Sequence, residues 1–187
     1  AKAAALISVG KTIQELRESS VLTQNGDAVA HGISVKEAVL PWNRFRRIDG
    51  TGVDSVLGPE MRSTGEVMGI ANTFGEAYAK SQSAAFGTLP KSGNVFLSLS
   101  ARDKEGSVEP AKTLVELGFT LYTTAGTHDF LAKSGVPSTL VRKNSDTSTS
   151  GKSAVDIITD GTVNLVINTP LGRGTRHDGW LIRTASV

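Results

Sequence analysis

Phe119-Thr120-Leu121-Tyr122-Thr123-Thr124-Ala125-Gly126-Thr127 reads as a buried strand that stops at a small, hydroxyl- and glycine-rich turn. A helix is expected directly after it, from His128 to Ser134. Ala125 and Gly126 let the backbone come close to a ligand. Thr123, Thr124 and Thr127 put hydroxyls beside the unpaired N–H groups of a helix start, which is an arrangement that suits an anion. Two readings of the turn stay open on these residues alone: a phosphate seat, or a helix that Thr127 merely caps.

The segments on either side follow the same strand-then-helix rhythm. Asn94 to Ser100 is a short apolar strand, and Ser107 to Leu117 is an amphipathic helix ending at Gly118. After the central strand and helix come a strand at Ser138 to Arg142, a helix at Val155 to Thr159 stopped by Asp160-Gly161, a strand at Val163 to Thr169 and a helix from Trp180 to Ala185. Strands alternating with helices imply an α/β fold, a doubly wound parallel sheet covered on both faces, with ligand groups at the strands' carboxyl ends. Eight residues fall at or just beyond those ends: Ser98, Lys104, Thr124, Gly126, Thr127, Lys143, Asn168 and Thr169. Lys104 and Lys143 would flank a phosphate on the turn, adding point charge to the direction supplied by its N–H groups.

Upstream, residues 1 to 18 fit a helix interrupted at Gly10 and a second short helix from Lys11. Val21 to Gly32 reads as loop. Ser34-Val35-Lys36-Glu37-Ala38-Val39-Leu40-Pro41 reads as a strand ended by proline. Arg44-Phe45-Arg46-Arg47 is a short basic cluster ahead of the turn signals Asp49-Gly50-Thr51-Gly52, and reads as a solvated loop. Leu57-Gly58-Pro59-Glu60-Met61-Arg62-Ser63-Thr64-Gly65-Glu66-Val67-Met68-Gly69 crowds three glycines and a proline around charged residues, the composition of a segment near a site or in tight packing. A helix follows from about Thr73 to Ala85, and a domain boundary is expected near Ala85 to Asn94.

The 187 residues carry 20 basic and 18 acidic side chains, a formal charge of +2, which offers no broad cationic field for nucleic acid. Two tryptophans and two tyrosines leave few stacking platforms. The absence of cysteine removes disulfides, thiolate metal sites and a cysteine nucleophile, and fits a cytoplasmic protein. No apolar run reaches the length of a membrane span. The first residue is alanine rather than methionine, so a fragment or a processed chain is expected.

Two apparent motifs fail on their own chemistry. Thr149-Ser150-Gly151-Lys152-Ser153 looks like the tail of a phosphate-binding P-loop, but Asp146 stands where that motif needs its first glycine and no strand leads directly into it. His177-Asp178 has no activated nucleophile beside it and reads as a surface loop or helix cap. His31 and His128 are isolated, so no metal cluster follows from them.

Val35 to Pro41 followed by Leu57 to Gly69 resembles the end of the second ATP-grasp synthetase domain in the large subunit of carbamoyl phosphate synthetase. The resemblance runs on through Thr73-Phe74-Gly75-Glu76-Ala77-Tyr78-Ala79-Lys80 and covers nearly all of the chain, with an apparent insertion around Arg47 to Gly52. It implies residues 1–88 as the C-terminal part of that ATP-grasp domain. Residues 89–187 would be a methylglyoxal-synthase-like allosteric domain, truncated before its last strand and helix. The acids that hold ATP and magnesium would lie before Ala1, so no catalytic or metal-binding residue is expected here. By the same resemblance the positions of Ser98, Lys104, Thr124, Thr127, Lys143 and Asn168 belong to a pocket for a uridine or inosine nucleotide. Glu37 would help bind ornithine as an activator. Pro170 replaces a hydroxyl-bearing residue, and the insertion Asn144 to Gly151 alters the pocket's rim.

The function implied is part of a ligase. The intact enzyme would make carbamoyl phosphate from ATP, bicarbonate and glutamine-derived ammonia, for pyrimidine and arginine biosynthesis. The rest of the large subunit and a glutaminase small subunit would be its partners, with self-association open. This segment would sense a nucleotide effector and be inactive alone. Two alternatives stand beside it: a methylglyoxal-synthase-type lyase, and an assembly module without ligand.

Overall fold

In a computed structural model of the chain, residues 1–24, 32–42, 59–146, 150–171 and 176–187 are described. The expectations placed on His31, Arg44 to Arg47, Asp49 to Gly52, Leu57-Gly58 and Thr149 lie outside those residues. Two compact units emerge, one of residues 1–36 and 68–81 and the other of residues 37–67 and 82–187.

The first unit opens with α1 (Lys2–Ser8) and α2 (Ile13–Glu18) on either side of Gly10. Thr12 starts α2 with a capping box: its hydroxyl accepts the Glu15 N–H at 3.2 Å while the Glu15 carboxylate accepts the Thr12 N–H at 2.8 Å. Leu16 is the buried side chain of this helix. Strands β1 (Ile33–Val39) and β2 (Gly65–Ala71) form a two-stranded sheet. Helix α3 (Phe74–Phe86) follows β2. A Cβ at Gly69 would lie 2.0 Å from the Ala77 carbonyl oxygen and 2.7 Å from the Ser81 nitrogen. The glycine-rich segment thus serves tight packing: with no side chain at Gly69, strand backbone rests directly on helix backbone.

The second unit carries a four-stranded parallel sheet in the order β5-β4-β3-β6. Its elements are β3 (Asn94–Leu99), α4 (Val108–Glu116), β4 (Thr120–Thr124), α5 (Ala125–Lys133), β5 (Thr139–Val141), α6 (Ala154–Thr159), β6 (Leu165–Thr169) and α7 (Arg176–Ser186). Two single-turn 3₁₀ segments, Ala101–Asp103 and Glu105–Ser107, lead from β3 into α4. Gly118 closes α4 at φ +88°, a conformation that side chains with a Cβ adopt only at a cost.

Alternation along the strands distributes the core between two faces. Val95 and Leu97 of β3 and Leu121 of β4 pack with Ala111, Phe119, Leu131 and Val136, which puts α4 and α5 on that face. Phe96 faces the other way and packs with Val141, Ala154, Ile157 and Ile182, under α6 and α7. Because β3 is central, Val95, Phe96 and Leu97 are all buried, each contributing on the order of 1.5–3 kcal/mol relative to exposure. The side chain of Asn164 accepts the Asn94 N–H at 2.8 Å, and Asn94 donates to the Thr162 carbonyl at 2.7 Å, which ties the starts of β3 and β6 together.

The expected α/β alternation and doubly wound sheet are present. Strand β2 (Gly65–Ala71) lies where the sequence reading places no strand, several bounds shift by one or two residues, and three differences bear on the site. The helix after β4 begins at Ala125, so Thr127 lies inside it and Thr124 occupies the cap position. Helix α7 begins at Arg176, which puts His177 and Asp178 in its first turn instead of in a loop. Strand β5 is only three residues long, because Arg142 leaves the ladder for a single bridge to Ser153. Among the described residues no helix is long and apolar enough to cross a membrane.

Candidate functional site

Strand order determines where the site forms. The chain runs outward from β3 through β4 to β5, then returns through α6 to place β6 on the other side of β3. Such a reversal leaves a crevice beyond the strands' carboxyl ends. A cavity of about 300 Å³ lies there. Its wall contains all eight candidate residues: Ser98, Lys104, Thr124, Gly126, Thr127, Lys143, Asn168 and Thr169. Ala154, Pro170, Leu171 and Ile182 make its apolar side, and Asn144, Asp178 and Gly179 complete the rim.

Ladder register sets up the floor. Ser98 pairs with Asn168 across β3 and β6, and its hydroxyl lies 3.4 Å from that of Thr124 on β4. Asn168, Ser98 and Thr124 therefore form one row, on the face covered by α6 and α7. Thr124 has the extended conformation of an N-cap, yet its side chain makes no capping hydrogen bond. The first N–H groups of α5 accordingly keep their donor capacity at the cavity. The positive end of the helix dipole adds to it.

Lys104, half-buried after the first 3₁₀ turn, donates its ammonium to the Gly126 carbonyl at 2.5 Å. The contact holds the charge over the first turn of α5. Lys143, just after β5, is exposed at the opposite rim. The turn that carries it is pinned by Arg142, whose guanidinium donates to the carbonyls of Lys143, Asp146 and Gly151 at 3.4, 2.5 and 3.2 Å.

Several hydroxyls serve as scaffold. Thr127 is 1% exposed, and its hydroxyl accepts the Leu99 N–H at 3.1 Å. It does not cap the helix: the N-cap position lies three residues earlier, at Thr124, whose side chain makes no capping bond. Thr169 accepts the Ser100 N–H at 3.1 Å. Asp103 is held below the usual carboxylate range, first by the Ser100 hydroxyl donating at 2.7 Å, then by the Thr169 hydroxyl and Arg102. These bonds fix the β3 end against β6. Thr123, grouped with the anion-facing hydroxyls on sequence, points away: its hydroxyl lies 2.9 Å from that of Ser138, which in turn meets His128 Nδ1 at 2.9 Å.

Below the rim, Ser153 and Asp156 form a capping box at the start of α6, and Asp156 is held low in pKa by the Ser153 N–H and hydroxyl. Lys152 pairs with Asp160 at 2.6 Å. The would-be P-loop tail is thus a helix start with a surface ion pair. Glu37 is not among the residues lining the cavity, and its carboxylate accepts a hydrogen bond from the Gln82 amide. Among the described residues no group of three or more acids and histidines gathers as metal ligands would.

Sequence reasoning passed over Asp178. Its carboxylate accepts the Ser145 N–H at 3.1 Å and the Ser145 hydroxyl at 2.6 Å, across 33 positions of chain. On sequence His177-Asp178 reads as a surface loop or helix cap, and nothing local signals a partner that far away. Gly179 beside it permits close packing of α7 on the end of β6, since a Cβ there would lie 3.0 Å from the Pro170 Cβ.

Residues 106–187 match the family described as MGS-like domain. The whole chain is 54% identical over 193 residues to the carbamoyl phosphate synthase large chain of Streptomyces avermitilis, a match covering 100% of this chain and 18% of that protein. It is 52% identical over 196 residues to the large chain of the same name from Mycobacterium tuberculosis, again covering 100% of this chain and 18% of the relative. The chain therefore spans about a fifth of the length of these relatives. With this similarity running through every described element and an MGS-like domain in its second half, the chain belongs with the carbamoyl phosphate synthase large chains.

Proposed function

We propose that this chain is the effector-sensing part of a carbamoyl phosphate synthase large chain, and that its cavity takes a nucleoside monophosphate of the uridine or inosine type. One observation carries the reading: Lys104, Lys143 and the uncapped first turn of α5 converge on a single cavity at the sheet's reversal point. Two ammonium groups and a helix N-terminus favour a dianion. The row Asn168, Ser98 and Thr124 offers neutral donors to the same group. The apolar side, with Ala154 and Ile182, suits the body of a nucleoside, and about 300 Å³ lies at the small end of ligand pockets.

Bond making would take place elsewhere in the intact protein. There ATP, magnesium, bicarbonate and glutamine-derived ammonia yield carbamoyl phosphate for pyrimidine and arginine synthesis, with a glutaminase small subunit as partner. The segment up to about residue 88 would complete an ATP-grasp domain, and Glu37 would contribute a carboxylate to an ornithine-type activator. Effector control then requires different nucleotide affinities in the active and inactive forms, on the order of 1–3 kcal/mol.

Calorimetric titration of the chain with uridine and inosine monophosphates tests the reading. Saturable binding of one of them is expected, without carbamoyl phosphate formation by the chain alone. A folded sample that binds neither would overturn it. A lyase reading has one feature in its favour, the Asp178 carboxylate in the same cavity wall, although Ser145 already engages both its oxygens. Incubation with dihydroxyacetone phosphate separates the two, because turnover would identify the lyase.

A further inference from the structure

Lys143 sits on a turn that follows an edge strand of only three residues, so β5 alone does little to orient it. Two contacts hold that turn. The Arg142 guanidinium satisfies the Lys143 and Asp146 carbonyls, and the Asp146 N–H closes back onto the Lys143 carbonyl at 3.1 Å. From across the cavity mouth, Asp178 in the first turn of α7 receives both the N–H and the hydroxyl of Ser145. Lys143 and Asn144 on one side and Asp178 on the other all line the cavity, so the clasp bridges its rim.

We propose that Asp178 is a positioning residue for the anion seat: by clasping Ser145 it joins the Lys143 turn to α7 and presents the Lys143 ammonium to the bound phosphate. This rests on the effector reading above. A turn ordered before the ligand arrives spares the ligand the cost of ordering it, which is how preorganisation raises affinity. The clasp uses a charge-assisted hydroxyl bond and a backbone N–H, so replacing either partner should loosen the same segment. Asp178 is also a negative group on a phosphate site. Direct contact with a phosphate is disfavoured by charge, whereas a role through Ser145 and Lys143 is compatible with it.

The test is a thermodynamic cycle in the intact protein, with uridine and inosine monophosphates as probes, comparing wild type with D178A, S145A, K143A and the double variant K143A/D178A. D178A and S145A should each weaken binding about fivefold to tenfold. The double variant should bind no more weakly than K143A alone, because a residue acting through Lys143 has nothing left to position. Hydrogen exchange on the ligand-free protein supplies a second readout: the Ser145 amide should lose protection in D178A while β3 and β4 amides keep theirs. Additive losses in the double variant, or unchanged affinity in both D178A and S145A, would overturn the proposal and leave the anion seat standing. Absence of binding by the wild type would overturn both. If D178A fails to fold, S145A and S145A/K143A close the same cycle.

Discussion

The Lys104 ammonium donates to the carbonyl of Gly126 at 2.5 Å, so a positive charge rests on the first turn of α5, where the helix dipole is itself positive. A Cβ on Gly126 would lie 3.3 Å from that ammonium, at the movable end of a long side chain. Gly126→Ala should therefore fold normally, with the melting temperature held or slightly raised by the better helix residue, a gain of up to about 1 kcal/mol. Nucleotide affinity should fall as Lys104 is displaced. Calorimetry beside a thermal melt checks both halves, and a destabilised variant with intact affinity would contradict this account.

Thr127 offers a sharper distinction between scaffold and ligand group. Its buried hydroxyl accepts the Leu99 N–H, and valine keeps the shape while removing the acceptor. Thr127→Val should cost about 1–3 kcal/mol in urea unfolding, the penalty for an unpaired buried N–H. Thr127→Ser should recover most of it.

In the first unit Gly69 admits no side chain. Alanine there would press on the Ala77 carbonyl and the Ser81 nitrogen, both backbone atoms that cannot swing aside. Gly69→Ala should destabilise by about 3 kcal/mol or more, at the upper end of overpacking costs. Protease sensitivity should then appear around α3 before it appears in the parallel sheet.

Acid should loosen the α6 region. The Lys152 ammonium, followed by the Thr162 hydroxyl and N–H, holds the Asp160 carboxyl at about 2, below the ordinary value of about 3.9. A carboxyl lowered by folding stabilises at pH values above its unfolded pKa, and that contribution is lost as pH falls through the folded value. Asp156 is lowered by the Ser153 N–H and hydroxyl, and acts in the same direction. Melting temperature should drop between about pH 4 and about pH 2. Asp160→Asn should start lower at neutral pH and change less across that window; a variant that parallels wild type would count against the ion pair.

The sequence carried much of the architecture because its signals are local. Short apolar runs such as Asn94 to Ser100 and Phe119 to Thr124 stand for strands wherever they sit. Thr12 with Glu15, Gly118 after α4, and Asp160-Gly161 after α6 mark helix ends through bonds that span a few residues. Even the eight residues of the candidate site could be named, since each lies at or just beyond the end of a strand and a parallel sheet gathers such positions at one edge.

Local signals failed where two segments competed for one group. Thr127 carries the composition of a cap, yet Leu99 on the neighbouring strand takes its hydroxyl and the helix starts earlier. Thr123 belongs to the same hydroxyl-rich run, yet alternation turns it toward Ser138 and His128.

By itself the sequence determined the order of strands and helices from Asn94 onward, the carboxyl ends where polar groups collect, and the kinship with carbamoyl phosphate synthase large chains; it did not show that the glycine-rich segment contains β2. The tertiary structure alone decided that β6 lies beside β3, which opens the cavity, and that Asp178 reaches Ser145 across its mouth. The reason is one of range. Helix and strand preferences come from bonds between near neighbours, whereas strand order and a clasp spanning 33 positions follow from which packed arrangement buries Leu97 and Leu121 on one face of the sheet and Phe96 on the other.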